Sequence, residues 1–568
     1  MKIAVAQLNP TVGDLQGNAA KILTAYFQGV ENGADVVVAP ECMLTGYPIE
    51  DLVLRESFME AVRDTHNKIC DIVSQATNTK TCLIYGTPLL YEDGFVRNCA
   101  IFIDPKTDGV HIIEKQELPN YGVFDEKRVF RQGDPKGTVR IYSQEDKRHV
   151  EVGILICEDV WFPRVASQLT DAELLISING SPFEAGKNVT RLKVMRDRAA
   201  ETGKPLLYVN MVGGQDELVF DGGSFLHEWG KLQSVPAFYS GIFYFNFDPM
   251  AVVANPTREM KRSAEGFIEM AYTSGVPEIY QACVLGLRDY VTKQGFKSVV
   301  LGYSGGVDSG IVAAMACDAF GPQNVHLIRL PSKYSSQHSL DDAASGAARL
   351  GAHMHTIKIE PVVESLRQAY QFSMGDKLTG VADENIQARA RGNILMAISN
   401  QEGHMVLSTG NKSEVSVGYA TLYGDMSGGF NPIKDCYKTT VWELCRWRNG
   451  LTQEKLNEYG FLGRATEVVP EEIIVKPPSA ELRPDQKDSD SLPPYETLDA
   501  ILKCMIEKEM GNSDIIDTLR IDETVVAKIR RLVDIAEYKR RQSCPGVKIT
   551  PKLFGRDRRY PIVNAWRG

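Results

Sequence analysis

Short apolar segments that suit β-strands alternate with amphipathic segments that suit helices along almost the whole chain. Such alternation predicts an α/β protein in which helices cover layered sheets. Helices are predicted at Gln16–Asn32, Leu52–Ala76 and Glu278–Gln294. In the first half, strands are predicted at Lys2–Gln7, Asp35–Ala39, Thr81–Thr87, Asn98–Ile103, Glu151–Ile156, Leu174–Ile178, Leu206–Asn210 and Gly241–Phe247. In the second half, they are predicted at Val325–Leu330, His353–Ile359 and Met405–Ser408.

The length of the chain predicts more than one domain. It has 568 residues, whereas single cores stop growing at about 250–300 residues. Prolines at 249 and 256 interrupt the pattern, so we predict domains at residues 1–250 and 269–568, joined by a connector at 251–268. The proline- and acid-rich segment 476–494 is predicted to be a mobile loop. Residues 539–568 form a basic tail with nine Lys or Arg and one acid, which suits either a solvated face or the steering of a polyphosphate.

Composition narrows the class of partner. A net charge of −10 argues against a nucleic-acid partner. No run of apolar residues is long enough to cross a membrane, and Met1–Pro10 is too polar for a signal peptide. The eleven cysteines lack a Cys-x-x-Cys pair, which gives no support to zinc or iron–sulfur ligation. An odd number of cysteines without an export signal suits reduced thiols, and so a cytoplasmic location.

A phosphate-binding loop is predicted where the apolar run Ser298-Val299-Val300 ends. The loop reads Ser304-Gly305-Gly306-Val307-Asp308-Ser309, and a helix is predicted from Gly310. Glycines let the backbone approach a ligand, while serine hydroxyls, free amides and a helix N-terminus attract an anion. The lysine of a Walker loop is absent. The string resembles the signature of the ATP pyrophosphatases, which adenylate an oxygen and then let a nitrogen or sulfur nucleophile displace AMP.

Three strand ends in the first half carry another combination of reactive groups. Glu41, Lys115 and Cys157 each follow an apolar run, and in α/β sheets ligands bind at the carboxyl ends of strands. A carboxylate can take the proton of a thiol, and an ammonium can stabilise the developing oxyanion. A cysteine at such a position is more often a small core residue, so the combination, rather than Cys157 alone, indicates amide chemistry.

The three residues and their flanks resemble the nitrilase superfamily over about residues 1–245. The resemblance implies an αββα sandwich in which Glu41 is the general base, Lys115 stabilises the transition state and Cys157 is the nucleophile. It also implies that Glu126 supports the site. By the same analogy, Tyr121 and Ser181 lie near glutamine, although Ser181 is equally explained as a turn serine before proline.

The second half resembles the NAD synthetase family of ATP pyrophosphatases over about residues 270–568. That family implies a doubly wound parallel-sheet domain whose loop Ser304–Ser309 binds ATP. A second segment that follows a strand contributes Thr409 to the ATP site. The resemblance places Mg²⁺ on Asp308 and Glu414. The implied contacts with deamido-NAD or its phosphates are Asn385, Arg389, Arg391, Asp425 and Lys438, and loop 476–494 matches a lid over the adenylate.

Together, the two halves resemble the glutamine-dependent members of that family. The resemblance implies that glutamine supplies ammonia, which displaces AMP from adenylated deamido-NAD, and that the chain forms a homo-oligomer. Because ammonia in water at pH 7 is mostly protonated, we expect an enclosed passage between the two sites.

Other function classes are less consistent with the sequence. GMP synthetases share the serine–glycine loop but use a Cys–His–Glu glutaminase, for which no matching segments are present. Asparagine synthetases need cysteine at position 2, which here is Lys2. A tRNA-thiolating enzyme needs a broad basic surface. An amidase for another small amide and a scaffold with decayed sites remain as alternatives.

Overall fold

The computed structural model describes residues 1–76, 78–107, 109–135, 137–228, 231–251, 275–476, 481–483 and 492–566. The chain forms two compact units, Met1–Gly275 and Val276–Gly568. Most of the predicted connector 251–268 and most of loop 476–494 lie outside the described residues. The domain boundaries therefore stay predictions.

Two six-stranded sheets form the centre of the first unit. The first sheet has the order β14-β1-β2-β3-β4-β5 and the second has the order β13-β12-β9-β8-β7-β6, while β10 and β11 form a separate ribbon. The strands are β1 Lys2–Gln7, β2 Val36–Val38, β3 Cys82–Leu90, β4 Val96–Asp104, β5 Gly109–Glu114, β6 Val139–Ser143, β7 Arg148–Ile156, β8 Leu174–Asn179, β9 Leu206–Asn210, β10 Val212–Gln215, β11 Leu218–Asp221, β12 Phe225–Glu228, β13 Lys231–Ser234 and β14 Gly241–Asn246.

Alternate side chains of the strands enter different cores, which produces four layers. Ile3 and Val5 of β1 join Ile154 and Ile176 of the second sheet in a core between the sheets. The intervening Ala4 faces a core that is closed by helices Leu15–Glu31 and Glu56–Ser74. Helix Lys187–Thr202 covers the outer face of the second sheet. This arrangement confirms the predicted αββα sandwich, since a strand places successive side chains on opposite faces.

Several short strands of the first unit were not predicted. They include β10 to β13, each of four residues. Strands this short carry too few residues for an alternating pattern to stand out. Further short helices lie at Glu50–Leu54, Glu126–Val129, Cys157–Val160 and Pro163–Ala166.

A four-stranded parallel sheet organises the second unit. Its order is β17-β16-β15-β18, from β15 Val299–Gly302, β16 Val325–Arg329, β17 His353–Thr356 and β18 Met405–Leu407. The chain proceeds from β15 outward to β17 and then returns to place β18 on the other side of β15. This confirms a doubly wound sheet, and the order reverses between β15 and β18, where such sheets bind ligands.

Helices cover both faces of this sheet. Ile359, Val363 and Leu395 pack on one face against Val300 and Val406. The helices of the unit are Val276–Lys293, Val307–Phe320, Pro322–Asn324, Gln337–Leu350, Glu360–Met374, Val381–Glu402, Lys412–Val417, Lys438–Asn449, Gln453–Glu458, Glu471–Ile474, Tyr495–Leu502, Lys503–Glu507, Asn512–Leu519, Glu523–Ile535 and Glu537–Arg540. Within the described residues, none of the helices combines the length and apolarity that a membrane crossing requires.

Candidate active sites

Lys115 lies between two buried carboxylates in the first unit. Its Nζ is 2.7 Å from Oε1 of Glu41 and 2.8 Å from Oε2 of Glu126. Burial alone would lower the pKa of Lys115, but the charges of Glu126 and Glu41 raise that pKa well above its usual value. Burial also raises the pKa of Glu126 to about 7. Lys115 is therefore a permanent cation beside two potential proton acceptors.

Cys157 follows β7 in a strained turn beside this cluster. Its φ is +46° and its side chain is buried. Burial raises the pKa of the Cys157 thiol well above its ordinary value, and the charge of Glu41 raises it further, whereas Lys115 lowers it. The resting thiol is neutral, so it needs a base before it can act as a nucleophile. The turn is held by Asp159, which accepts bonds from the amides of Ile156 and Glu117, at 3.1 and 2.8 Å.

Neutral donors hold Glu41 in place. Asn98 Nδ2 donates to Oε1 at 2.8 Å, and the amide of Gly180 donates to Oε2 at 2.7 Å. Tyr47 Oη donates to Glu126 at 2.9 Å. These hydrogen bonds fix the orientation of the two buried carboxylates. Sequence reasoning missed Asn98, Tyr47 and Gly180.

The predicted glutamine-side residues surround the same turn. Tyr121 Oη donates to Glu158 at 3.0 Å, while its ring is 56% exposed. The amide of Ser181 donates to Asn210 Oδ1 at 3.0 Å, and buried Arg191 donates to Ser181 Oγ at 3.4 Å. Ser181 follows Gly180, whose amide contacts Glu41, so it lies near the catalytic cluster. Glu158 was not predicted, and burial raises its pKa.

The loop Ser304–Ser309 joins β15 to a helix in the second unit. This helix starts at Val307 rather than at Gly310, so Asp308 belongs to its first turn. Hydroxyls organise the loop, because Ser309 Oγ donates to Gly306 O at 3.1 Å and the Gly306 amide donates to Ser304 Oγ at 3.2 Å. Gly305 has a φ of +82°, a region that favours glycine. Thr409 follows the adjacent strand β18, which places it at the same edge of the sheet.

Lys438 connects the two predicted metal ligands. Its Nζ forms an ion pair with Asp308 and lies 3.5 Å from Oε1 of Glu414. Asn411 Nδ2 donates to the other oxygen of Asp308 at 3.1 Å. Two carboxylates within reach of one cation suit Mg²⁺, which takes one or two carboxylates beside phosphate oxygens. In the described part of the chain, no group of three or more His, Cys, Asp or Glu side chains is arranged for a metal.

Three of the predicted dinucleotide contacts surround one segment. Asn385 Oδ1 accepts from Thr421 Oγ1 at 2.9 Å, and the Thr421 amide donates to Asp425 at 2.7 Å. Arg389 Nε donates to Leu422 O at 3.2 Å. Burial raises the pKa of Asp425. A small pocket adjoins this segment and is lined by both Asp425 and Glu414.

Arg391 and several cations of the basic tail form contacts within the protein. Arg391 Nε donates to Leu330 O at 3.1 Å, its side chain is partly buried, and burial lowers its pKa. In the basic tail, many cations are paired within the protein: Lys548 lies 2.8 Å from Asp557, and Arg540 and Arg558 contact Glu537 at 2.7 and 3.2 Å. These three cations of the tail are therefore neutralised by carboxylates of the second unit itself.

These features define a chain with an amide-hydrolysing unit followed by a nucleotide-activating unit. The carbon–nitrogen hydrolase family matches residues 2–248, and the NAD synthase family matches residues 279–543. The glutamine-dependent NAD(+) synthetase of Rhodobacter capsulatus is 44% identical, with 100% of this chain and 99% of the relative covered. That of Acinetobacter baylyi is 40% identical with the same coverage. The solved structure of the enzyme from Acinetobacter baumannii, in complex with ADP, is 37% identical with a TM-score of 0.71, covering 100% of this chain and 99% of that chain. The chain belongs to the family of glutamine-dependent NAD(+) synthetases, and it is a ligase.

Proposed function

We propose that this protein converts deamido-NAD into NAD, with glutamine as the nitrogen donor and ATP as the source of energy. The observation that carries the proposal is that one chain holds both a buried Glu41–Lys115–Cys157 cluster and the Asp308–Lys438–Glu414 group beside a phosphate loop. The first cluster is suited to opening an amide, and the second to activating a carboxylate.

The glutamine amide is opened through a thioester. Glu41 takes the Cys157 proton as the sulfur attacks the side-chain amide carbon, and Lys115 stabilises the negative oxygen that develops. Glu41 then gives the proton to the departing nitrogen, which leaves as ammonia. Water, deprotonated by Glu41, attacks the thioester and releases glutamate, and the thiol recovers its proton. Glu126 holds Lys115 from the opposite side, and Tyr121 and Ser181 contact the substrate.

The second unit forms and breaks an adenylate. A carboxylate oxygen of deamido-NAD attacks the α-phosphorus of ATP, and pyrophosphate leaves. Ammonia then attacks the carbonyl carbon and loses a proton, and AMP leaves, giving NAD. The loop Ser304–Ser309 and Thr409 bind ATP, and Asn385, Arg389, Arg391 and Asp425 contact deamido-NAD. Asp308 and Glu414 would hold Mg²⁺, which would neutralise phosphate charge, and Lys438, held between these carboxylates, would contact the phosphates.

We also propose that ammonia passes between the sites without mixing with the solvent, since protonated ammonia has no free electron pair. The measurement is NAD formation from unlabelled glutamine in the presence of ¹⁵N-ammonium. Exclusion of ¹⁵N is expected. Extensive labelling of NAD at a low ammonium concentration contradicts the enclosed passage.

The location and oligomeric state are proposed on separate grounds. Cys283 and Cys436 are free thiols whose sulfurs are 4.0 Å apart, which suits the reducing cytoplasm.

A homo-oligomer is supported by exposed apolar side chains on helix Glu360–Met374, with Phe372 93% exposed. Phe372→Ser is expected to reduce the solution mass measured by light scattering, and Leu462→Ser, at an exposed site on another segment, is the control.

The deciding experiment measures NAD formation by the parent and by Cys157→Ala, with glutamine or ammonium as donor. The parent should use both donors, and the variant should use ammonium only. Cys82→Ala, which removes another buried thiol of the same unit, should use both. If the parent makes no NAD from either donor, the proposed function is wrong.

A further inference from the structure

Two helices of the second unit are joined by ion pairs at both ends. Helix Val307–Phe320 carries Asp308, and helix Lys438–Asn449 begins with Lys438, which contacts Asp308. Ten residues further along each helix lie Asp318 and Arg448. Arg448 Nε donates to Oδ2 of Asp318 at 2.7 Å, and Nη2 donates to Oδ1 at 2.8 Å. Ten helical residues span about 15 Å, so the helices run parallel over that length.

The second pair is fully enclosed, and both partners form further hydrogen bonds, although Nη1 of Arg448 is buried without a partner among the described residues. Neither side chain of the Asp318–Arg448 pair is exposed. Tyr280 Oη donates to Asp318 at 2.7 Å, and Arg448 also donates to the carbonyl of Arg464 at 3.0 Å. A buried ion pair gives little net stability compared with apolar side chains of similar volume, and its best-supported role is to fix register. Asp318 also lies near a helix C-terminus, where a carboxylate is unfavourable.

The N-terminal end of this helix pair, at Asp308 and Lys438, requires that the two helices keep a fixed axial register. Both helix N-termini carry partial positive charge and lie side by side at the phosphate loop, so they repel each other. Lys438 must nevertheless reach both Asp308 and Glu414. A bidentate Arg–carboxylate pair holds two hydrogen bonds in a fixed geometry, which fixes the axial position of one helix against the other.

We propose that Arg448 and Asp318 are positioning residues for adenylation. They fix the axial register of the two helices, and this register places Lys438 between Asp308 and Glu414. Neither residue touches substrate. The inference rests on the proposed function of the second unit, because it assigns these residues to the ATP half of that reaction.

The test compares Arg448→Lys with Arg446→Lys in the full-length chain. Each variant keeps a positive charge but loses the guanidinium group that binds a carboxylate through two nitrogens. Both substitutions lie on the same helix. Arg446 pairs with Glu471 at 2.8 Å on the surface, where both side chains are about half exposed, and it serves as the matched control. NAD formation is measured with ammonium as donor, which makes the rate independent of Cys157. The unfolding of each variant is followed by circular dichroism.

Arg448→Lys is expected to lower kcat at least tenfold and to raise the KM for ATP several-fold, because a misplacement of about 1 Å costs about 100-fold. The KM for deamido-NAD should change by less than about twofold, since Asn385 and Arg389 lie on another helix. Arg446→Lys should match the parent. A purely structural role would lower the unfolding midpoint and leave the kinetic constants of the folded protein unchanged.

A second variant covers the case in which Arg448→Lys fails to fold. Asp318→Leu with Arg448→Met replaces the pair by apolar side chains of similar size, which proteins often tolerate. The same loss of kcat and rise in the KM for ATP is expected of the folded double variant. If either folded variant keeps the constants of an active parent, the positioning role is overturned. An inactive parent overturns the proposed function instead.

Discussion

Lys115 Nζ lies 2.7 Å from Oε1 of Glu41, and neither side chain is exposed to solvent. A proton acceptor and a fixed cation are therefore held against each other before any substrate is present. The Cys157 thiol, whose pKa is raised by burial, lies beside them. The arrangement separates the two tasks of amide opening, since Glu41 moves the proton and Lys115 stabilises the oxyanion.

The cation of Lys115 is expected to be essential for the use of glutamine. Lys115→Met keeps the length of the side chain but leaves the oxyanion without a partner, so glutamine-supported NAD formation should fall by about 100- to 1,000-fold. Ammonium-supported NAD formation should remain within about twofold of the parent. Equal losses with the two donors would contradict the assignment of Lys115 to the glutamine site.

Ionisation of Glu126 is expected to influence activity near neutral pH. Burial raises its pKa to about 7, and its negative charge raises the pKa of Cys157. Glutamine hydrolysis should therefore lose part of its rate as the pH rises through about 7, and Glu126→Gln should lack this step. The measurement is kcat/KM for glutamine between pH 5.5 and about 8.5.

The same ionisation has a consequence for stability. Because the folded pKa of Glu126 is raised from 4.5 to about 7, the folded state binds the proton more tightly. The free energy of unfolding should therefore fall as the pH rises from about 4.5 to about 7. Glu126→Gln should show a shallower fall in urea unfolding over that window, and an unchanged slope would contradict the shift.

Lys438 is expected to oppose metal binding while it supports catalysis. Lys438→Met removes the cation that contacts Asp308 and Glu414. The apparent affinity for Mg²⁺ should increase because the carboxylates lose a competing charge, whereas ammonium-supported kcat should fall by about 100-fold or more. Titration of NAD formation with Mg²⁺ separates the two effects. Weaker Mg²⁺ binding would show that Lys438 supports the metal instead.

Gly305 is expected to be the least replaceable glycine of the phosphate loop. A Cβ there would lie 2.7 Å from the carbonyl oxygen of Ser339, and φ is +82°. Gly305→Ala should lower the free energy of unfolding by about 1–3 kcal/mol, measured by urea unfolding of the second unit's transition. Gly306→Ala is the control, since the nearest atom to its Cβ is Ser304 Oγ at 3.3 Å.

The strand-end argument located part of the site and missed the rest for a geometric reason. Glu41, Lys115 and Cys157 follow β2, β5 and β7, as the pattern predicts. Asn98, in contrast, lies near the start of β4, which is antiparallel to both β3 and β5. An antiparallel strand brings its amino end to the edge where its neighbours end. A search limited to carboxyl ends of strands therefore omits Asn98.

The ion pair between two distant helices of the second unit could not be predicted from the sequence either. The loop Ser304–Ser309 carries a local signature, and its place between a strand and a helix was predictable. Nothing in the sequence near Asp318 or Arg448 indicates that they meet, because they are 130 residues apart. Asp318 follows Asp308 by ten residues, and Arg448 follows Lys438 by ten residues. This equal spacing indicates a second contact only once the two helices are known to lie side by side.

The doubled ion pairing has a consequence for how such a chain is inherited. Each of the two helices carries one half of both pairs, so replacing only one helix by a segment that lacks the partner residue would leave an unpaired buried charge on the other. Exchange of both segments together avoids that penalty. Residues 307–320 and 438–449 should therefore be inherited together, although more than a hundred residues separate the two segments in the sequence.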